Sequence, residues 1–331
     1  MELPSNKKLT QFDNLIQLSE SVTDPKYGHY LYERPIPILF DYGFTLIDKP
    51  SGPTSHEVAS WVKRILNIDK SGHSGTLDPG ATGLLPMGLG EGTKALSILL
   101  LGPKEYYSIA RIHSNFDKSI LEKVLLEFNG EIYQRPPQRS SVKRMTRIRR
   151  VHEIEYVEEN ENLILLRILC QAGTYIRKLI YDIGEIIGSG ATMVELRRTR
   201  VSHFFERDGL IKLHDLYNAF YLFKEKNDEE NLRKMIKPIE ICFKDLPTVV
   251  IRDTAVDALC HGAQLAIPGI SEISSSIQKD DLVAIYTLKG EIVGLAQSLM
   301  NINEIVSNKK GISFTMKRLI MKPNTYPKGW R

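Results

Sequence analysis

The carboxylate with the most unusual setting in this chain of 331 residues is Asp78, in Gly75-Thr76-Leu77-Asp78-Pro79. It sits inside KSGHSGTLDPGATGLLPMGLGEGTKAL, a stretch with seven glycines and two prolines in 27 residues. A following proline holds Asp78 in extended backbone. A carboxylate displayed this way can attack carbon or stabilise developing positive charge. The same tripeptide also suits a turn aspartate bonded to its own backbone, and the residues alone leave both readings open. The loop fits neither GxxxxGK[ST] nor GxGxxG, and the chain has no HExxH, GxSxG or paired CxxC, so no nucleotide-fold, zinc-protease or hydrolase reading is licensed. A second feature is RPPQRSSVKRMTRIRR, Arg135 to Arg150, with seven basic residues and no acidic one. It includes Arg139, Lys143, Arg144 and Arg147. A solvated basic face is one reading. Neutralisation of nucleic-acid phosphates is the other, because a cluster this dense repels itself unless an anion lies against it.

The elements that must position Asp78 follow from periodicity. FTLI at 44–47 predicts a short strand ended by Asp48-Lys49-Pro50-Ser51-Gly52-Pro53. Thr54 and Ser55 can cap the next segment, whose Val58, Trp61, Val62, Ile65 and Leu66 fall at helical spacing. The glycine-rich stretch predicts a threaded loop with short strands at 83–89, since so many breakers oppose a long regular element. Strands are predicted at 104–113, 163–171 and 194–200, and helices at 121–128 and from Ile176 to a stop at Gly188. Strands and helices mix without βαβ repetition, which predicts an α+β catalytic domain. Residues 214–240 read as helical and charged. Leu246-Pro247 reads as a boundary, followed by TVVI, LAIP, DLVAIYT, IVGLAQS and ISFTMKRLIM, a series that predicts a small β-barrel of about 80 residues.

Length exceeds one ordinary compact core and predicts two domains with an extension. Hydrophobic residues at 42% and charged residues at 25% suit a globular protein. A formal net charge of +4 argues only weakly for a nucleic-acid partner. No apolar run approaches the roughly 20 residues of a membrane helix, and MELPSNKKLTQFDNL lacks a secretory apolar core. Cys170, Cys242 and Cys260 make neither a disulfide framework nor a metal knuckle, which predicts core thiols in a reducing cytoplasm and no metal site.

The stretch Gly72 to Gly83, GHSGTLDPGATG, closely resembles the catalytic loop of the TruB family of pseudouridine synthases. Five more stretches match in the same order: DYGFTLIDKPSGPTSHEVASWVK, KEYY at 104–107, RPPQRSSVKR, AGTYIRKLIYDIG and VELRRTR. RPPQRSSVKR and the arm before residue 41 resemble the dyskerin branch, the RNA-guided branch of archaea and eukaryotes. AVDALCHGAQLAIPGI and the final YPKGW resemble that branch's PUA domain. Lysine-rich tails are missing, which gives the chain an archaeal look. Two departures stand out: Gly80-Ala81 replaces a frequent Lys-Val, and Gly88-Leu89-Gly90-Glu91-Gly92 is richer in glycine than usual. Neither removes a side chain the chemistry needs.

The resemblance implies a mixed-sheet catalytic domain at 41–245, a PUA domain at 246–331, and an arm at 1–40 packed on the PUA domain. It implies that Asp78 is the catalytic carboxylate for moving the glycosidic link of uridine from N1 to C5. It also implies that Arg177 pairs with Asp78, that Tyr106 stacks on the target base, and that His73 helps extract the base from the RNA stack. Lys49, Tyr175 and Leu196 become pocket residues, and His261 and Gly262 fall in the stretch that grips RNA. The reaction it implies needs no cofactor. Implied partners are a box H/ACA guide RNA, substrate rRNA and tRNA, a small zinc-binding protein, a β-barrel protein, and a kink-turn binder reached through RNA. Three readings stand: an RNA-guided enzyme, a stand-alone enzyme for the T-loop uridine of tRNA, and a scaffold without chemistry. The short run from Gln134 to Val151 leaves little room for the bacterial tRNA-gripping insertion. Asp78, Tyr106 and Arg177 together argue against a pure scaffold.

Overall fold

The computed structural model describes residues 14–135 and 145–328. Packing divides the chain into two compact units that do not follow sequence order. One holds residues 1–44, 88–95 and 236–331, and the other holds 45–87 and 96–235. The divisions near 40 and 245 read from the sequence therefore differ from the packed ones, above all at 88–95. The first unit opens with β1 (Leu15–Gln17) and α1 (Ile36–Asp41), whose Pro37 lies in its first turn, where a missing N–H is tolerated.

The second unit is built on a mixed sheet. Its elements begin with β2 (Gly43–Lys49), from Thr45 onward, α2 (Ser55–Leu66), β3 (Ser71–His73) and β4 (Thr82–Leu89), as far as Met87. They continue through α3 (Leu96–Leu101), β5 (Lys104–Ile112), α4 (Lys118–Glu127), β6 (Gly130–Gln134) and β7 (Arg147–Asn160). Next come β8 (Leu163–Cys170), α5 (Ile176–Ile186), β9 (Ala191–Val201), β10 (Phe204–Phe205), α6 (Leu213–Lys226) and α7 (Glu230–Met235). Strand order is β2-β4-β9-β5-β8-β7-β6, with β3 beside β4 and β10 beside β9. The β4–β9 pair is parallel, while β5, β8, β7 and β6 run antiparallel. This is the expected α+β class. Alternation in β8 buries Ile164, Leu166, Ile168 and Cys170, and the same core takes Leu179, Ile180 and Ile183 from α5. Thr54 caps α2 reciprocally with Glu57, as the sequence allowed.

Three local expectations are revised. Residues 82–89 form one continuous strand rather than short pieces, because the glycines there serve close approach. Gly83 has φ +98°, and a Cβ on it would lie 2.4 Å from the Arg198 carbonyl oxygen of the parallel neighbour. The charged stretch after 213 is two helices, parted at Asn227 in the left-handed region, φ 54°. Finally, β6 and β7 were not anticipated, because basic and acidic side chains on their exposed positions hide the strand alternation.

The first unit resumes with β11 (Lys237–Pro238), β12 (Thr248–Ile251), α8 (Asp253–Cys260), β13 (Leu265–Ala266) and β14 (Ile270–Ser274). It ends with β15 (Leu282–Thr287), β16 (Ile292–Ser298), α9 (Ile302–Ser307) and β17 (Ile312–Leu319). Seven strands order as β1-β14-β12-β15-β16-β17-β13 over a core that includes Val249, Ile273, Ile285, Val293 and Phe314. The arm enters this sheet, with Leu15 opposite Ser274 and Gln17 opposite Glu272. Beyond β1, Asp253 accepts from Thr23 Oγ1 at 2.9 Å and from the Asp24 N–H at 2.8 Å. The Lys289 ammonium donates to the Asp24 carbonyl at 3.1 Å and also to that of Tyr27. Buried Arg34 holds Glu240 in a two-point pair at 2.7 and 3.0 Å.

Candidate active site

Asp78 is presented by a loop pinned at every turn. The preceding Leu77 side chain is sunk in the core, 2% exposed. Its N–H donates to Ser55 Oγ at 2.9 Å, and that hydroxyl returns a bond to the Leu77 carbonyl at 3.2 Å. The Ala81 N–H closes a turn on the Asp78 carbonyl at 3.0 Å, and the Gly52 N–H reaches the Pro79 carbonyl at 2.9 Å. Beneath the loop, Lys49 is fully buried. Its ammonium donates to the carbonyls of Pro50 and Pro79 at 2.9 Å and of Ala81 at 2.8 Å. All three protons are thereby engaged, so Lys49 braces the loop from below. Burial lowers its pKa, while the charge of Asp78 raises it.

The Asp78 carboxylate itself stays half exposed and pairs with the guanidinium of Arg177, also half exposed. Arg177 stands in the first turn of α5. Tyr175 is the N-cap there without a side-chain cap bond, and Gln134 clamps its backbone instead. Its Oε1 accepts from the Tyr175 N–H at 2.9 Å and its Nε2 donates to the Tyr175 carbonyl at 3.1 Å. A buried amide from β6 thus fixes the start of the helix that carries Arg177.

Tyr106 lies on β5, opposite Arg198 of β9. Its ring packs, with Leu196, against the core cluster that contains Leu77 and Ala81. Burial raises the phenol's pKa, and the positive charge of Arg198 offsets part of the rise. His73, at the end of β3, meets His56 of α2 edge-on, with ring centroids 4.8 Å apart. Burial first, then His56 and Arg198, push its pKa down to about 4. The buried His73 Nδ1 has no hydrogen-bond partner among the described residues. At neutral pH the imidazole is therefore uncharged, a flat polarisable ring rather than a cation.

Four family descriptions tile the chain: TruB family pseudouridylate synthase N-terminal domain at 63–176, tRNA pseudouridylate synthase B C-terminal domain at 177–244, PUA domain at 247–320 and DKCLD domain at 4–59. A probable tRNA pseudouridine synthase B of Methanocaldococcus jannaschii is 45% identical over all of this chain and 98% of its own length. That of Methanopyrus kandleri is 48% identical over 96% of this chain and 93% of its own. The chain belongs to the TruB family of pseudouridine synthases. Solved structures agree with the membership of this synthase. A structure of an H/ACA RNP bound to a substrate RNA containing 2′-deoxyuridine has TM-score 0.86 at 41% identity, over 98% of this chain and 100% of that one. A Cbf5–Nop10–Gar1 complex has TM-score 0.85 at 44% identity, over 95% of this chain and 96% of that one.

In this pseudouridine synthase the fold gathers Lys49, Asp78, Tyr106, Tyr175, Arg177 and Leu196 onto neighbouring elements, with His73 at the end of the strand that enters the loop. Arg139, Lys143 and Arg144 lie outside the described residues, as do Gly329 and Trp330 of YPKGW. Arg147 is on β7 opposite Gln134. His261 and Gly262 follow α8 in the other unit. His261 Nδ1 lies 2.9 Å from the Asp257 carbonyl, and Gly262, at φ +92°, has open space on its Cβ side. Among the described residues no group of three His, Cys, Asp or Glu could hold a metal ion. Sequence reasoning gave Ser55 only a capping role and passed over Gln134 and Arg198. Arg198 had a signal, since a cation within an otherwise strand-like run must be buried or exposed by register. Nothing local marked Gln134 as a cap for a helix 41 residues later.

Proposed function

We propose that this synthase isomerises uridine to pseudouridine within RNA at Asp78, as the catalytic subunit directed by a box H/ACA guide RNA. The observation that carries the reading is the Asp78–Arg177 pair on a braced loop. Arg177 holds the carboxylate aimed, while half of the carboxylate's surface stays open to an incoming nucleotide. The carboxylate attacks the sugar carbon or stabilises its positive charge as the N1 bond breaks. Uracil then turns so that C5 bonds to the same carbon, displacing the carboxylate where it has attacked, C5 gives up its proton and N1 gains one. Tyr106 stacks on the extracted base, a contact worth ~1–3 kcal/mol, and Leu196 walls the pocket. His73 helps take the base from the stack, a step that costs a few kcal/mol, and its neutral ring suits stacking.

The solved relatives support RNA and small-protein partners, through an H/ACA RNP with a substrate RNA and a complex with Nop10 and Gar1. For this chain we read a guide RNA, a small zinc-binding protein, a β-barrel protein and a kink-turn binder reached through RNA. The basic run containing Arg139, Lys143, Arg144 and Arg147 serves phosphates, and the region of His261 and Gly262 serves the guide's ACA end. A second reading, tRNA modification without a guide, is favoured by the names of the curated relatives. Buried free Cys170, Cys242 and Cys260 suit a reducing cytoplasm. Among the described residues no helix is long and apolar enough to cross a membrane.

The test combines purified protein with tRNA and with an rRNA fragment, each with and without matching guide RNA and partner proteins, and counts pseudouridine. Guide-dependent product in rRNA supports the first reading, and guide-free product in tRNA supports the second. No pseudouridine in any mixture would refute both.

A further inference from the structure

Arg198 is 1% exposed, the largest fully buried side chain among the described residues. Its Nε donates to the Leu84 carbonyl of β4 at 2.9 Å. Its Nη2 donates to the Gly75 carbonyl at 3.0 Å and to that of Ser74 at 3.5 Å. It also faces Tyr106 across the β5–β9 register, and the two side chains act on each other electrostatically. Among the described residues no carboxylate forms an ion pair with it. A buried cation without an anion is costly, so packing alone does not explain it. Guanidinium has donors only, so it can meet the Tyr106 phenol only at its oxygen and cannot accept the phenolic proton. That proton is left available to something else.

We propose that Arg198 is a positioning residue for the isomerisation: it locks Tyr106 and the Asp78 loop in one register and leaves the phenolic proton for the uracil. The proposal rests on the reading of Tyr106 as the residue that meets the base. Gly75 is three residues before Asp78, so a guanidinium that holds its carbonyl from the position opposite Tyr106 sets the spacing between carboxylate and stacking ring. The opposing effects of burial and Arg198 on the Tyr106 pKa agree with this geometry. Lysine keeps the charge but cannot reach Leu84, Gly75 and Tyr106 at once.

The experiment measures single-turnover rate and RNA affinity for the full chain with its RNA, as Arg198→Lys, Tyr106→Phe and the double variant. Folding is checked by circular dichroism. Arg198→Lys should slow the step by about 100-fold, the scale of a small misplacement at a reacting centre, with affinity nearly unchanged. The double variant should be no slower than the slower single one, because Arg198 acts through Tyr106. A slow Tyr106→Phe beside a wild-type rate for Arg198→Lys, or losses that multiply, would overturn this proposal alone. A wild-type rate for Tyr106→Phe would overturn the reading of Tyr106 and the proposal with it. A measurement that leaves Arg198 in place replaces Tyr106 with 3-fluorotyrosine, a more acidic phenol. The pH–rate profile should shift to lower pH, and an unmoved profile would overturn the proposal.

Discussion

His73 shows most directly how burial sets a side chain's chemistry in this protein. Its folded pKa is about 4, against about 6.5 for an unperturbed histidine. Between those values the unfolded chain binds a proton that the folded ring does not, so unfolding is favoured as pH falls. His73's contribution is intact above about pH 6.5 and is lost as pH drops through about 4. The effect is at most about 3 kcal/mol, and less for the solvent that reaches this partly buried ring. His73→Gln should therefore flatten the dependence of unfolding free energy on pH across that window. An equally steep slope in the variant, followed by denaturant titration at several pH values, would contradict this account. Asp78, Arg177 and Tyr106 were legible because the resemblance rests on ordered motifs around each. The brace under Asp78 was not legible, since Lys49's three carbonyl partners and Ser55's two-way bond with Leu77 depend on backbone placement. No residue type announces such contacts.

At the scale of elements, the site depends on the parallel contact between β4 and β9. Thr82 faces Arg197 and Gly83 faces Arg198 in that register. Gly83 sits at φ +98° with the Arg198 carbonyl oxygen 2.4 Å from where a Cβ would be. Gly83→Ala should cost more than the ~1–3 kcal/mol of a strained backbone alone, because strand backbone cannot give way as a flexible side chain can. Chemical denaturation checks it, and an unchanged midpoint would show that the strands part without penalty. Periodicity revealed α2, α5, β5 and β8, and the apolar faces of the last three fill one core. It failed for β4, where glycine reads as a loop and in fact permits two strands to touch. It failed also for β7, a strand of 14 residues whose Glu153 and Glu155, paired with Arg167 of β8, replace apolar alternation with charge.

At the scale of the molecule, the terminal unit is assembled from three separate stretches of chain. Its strands at 248–251, 282–287, 292–298 and 312–319 were readable from β-branched runs and turns. The inclusion of 88–95 was not, because the partner of a glycine-rich segment is chosen by packing. Within this unit Arg34 and Glu240 are buried together, their side chains 2% and 3% exposed. Glu240 also accepts from the Ile292 N–H at 2.9 Å. Arg34→Met would leave that carboxylate buried without its cation, a loss of about 3–5 kcal/mol. Thermal unfolding should show a large drop in midpoint, restored in part by Arg34→Met combined with Glu240→Gln. A single variant as stable as wild type would remove the pair from the account of how the arm is held.

The central claim is that Asp78 performs the isomerisation, and Asp78→Asn tests it most directly. The amide keeps the size of the side chain but loses its charge and nucleophilicity. Wild-type and variant protein should be compared on one uridine-containing RNA, with matched guide and partners, by pseudouridine count and RNA affinity from the same preparations. The predicted result is no detectable pseudouridine from the variant, with affinity close to wild type. Pseudouridine accumulating at a substantial fraction of the wild-type rate would contradict the claim.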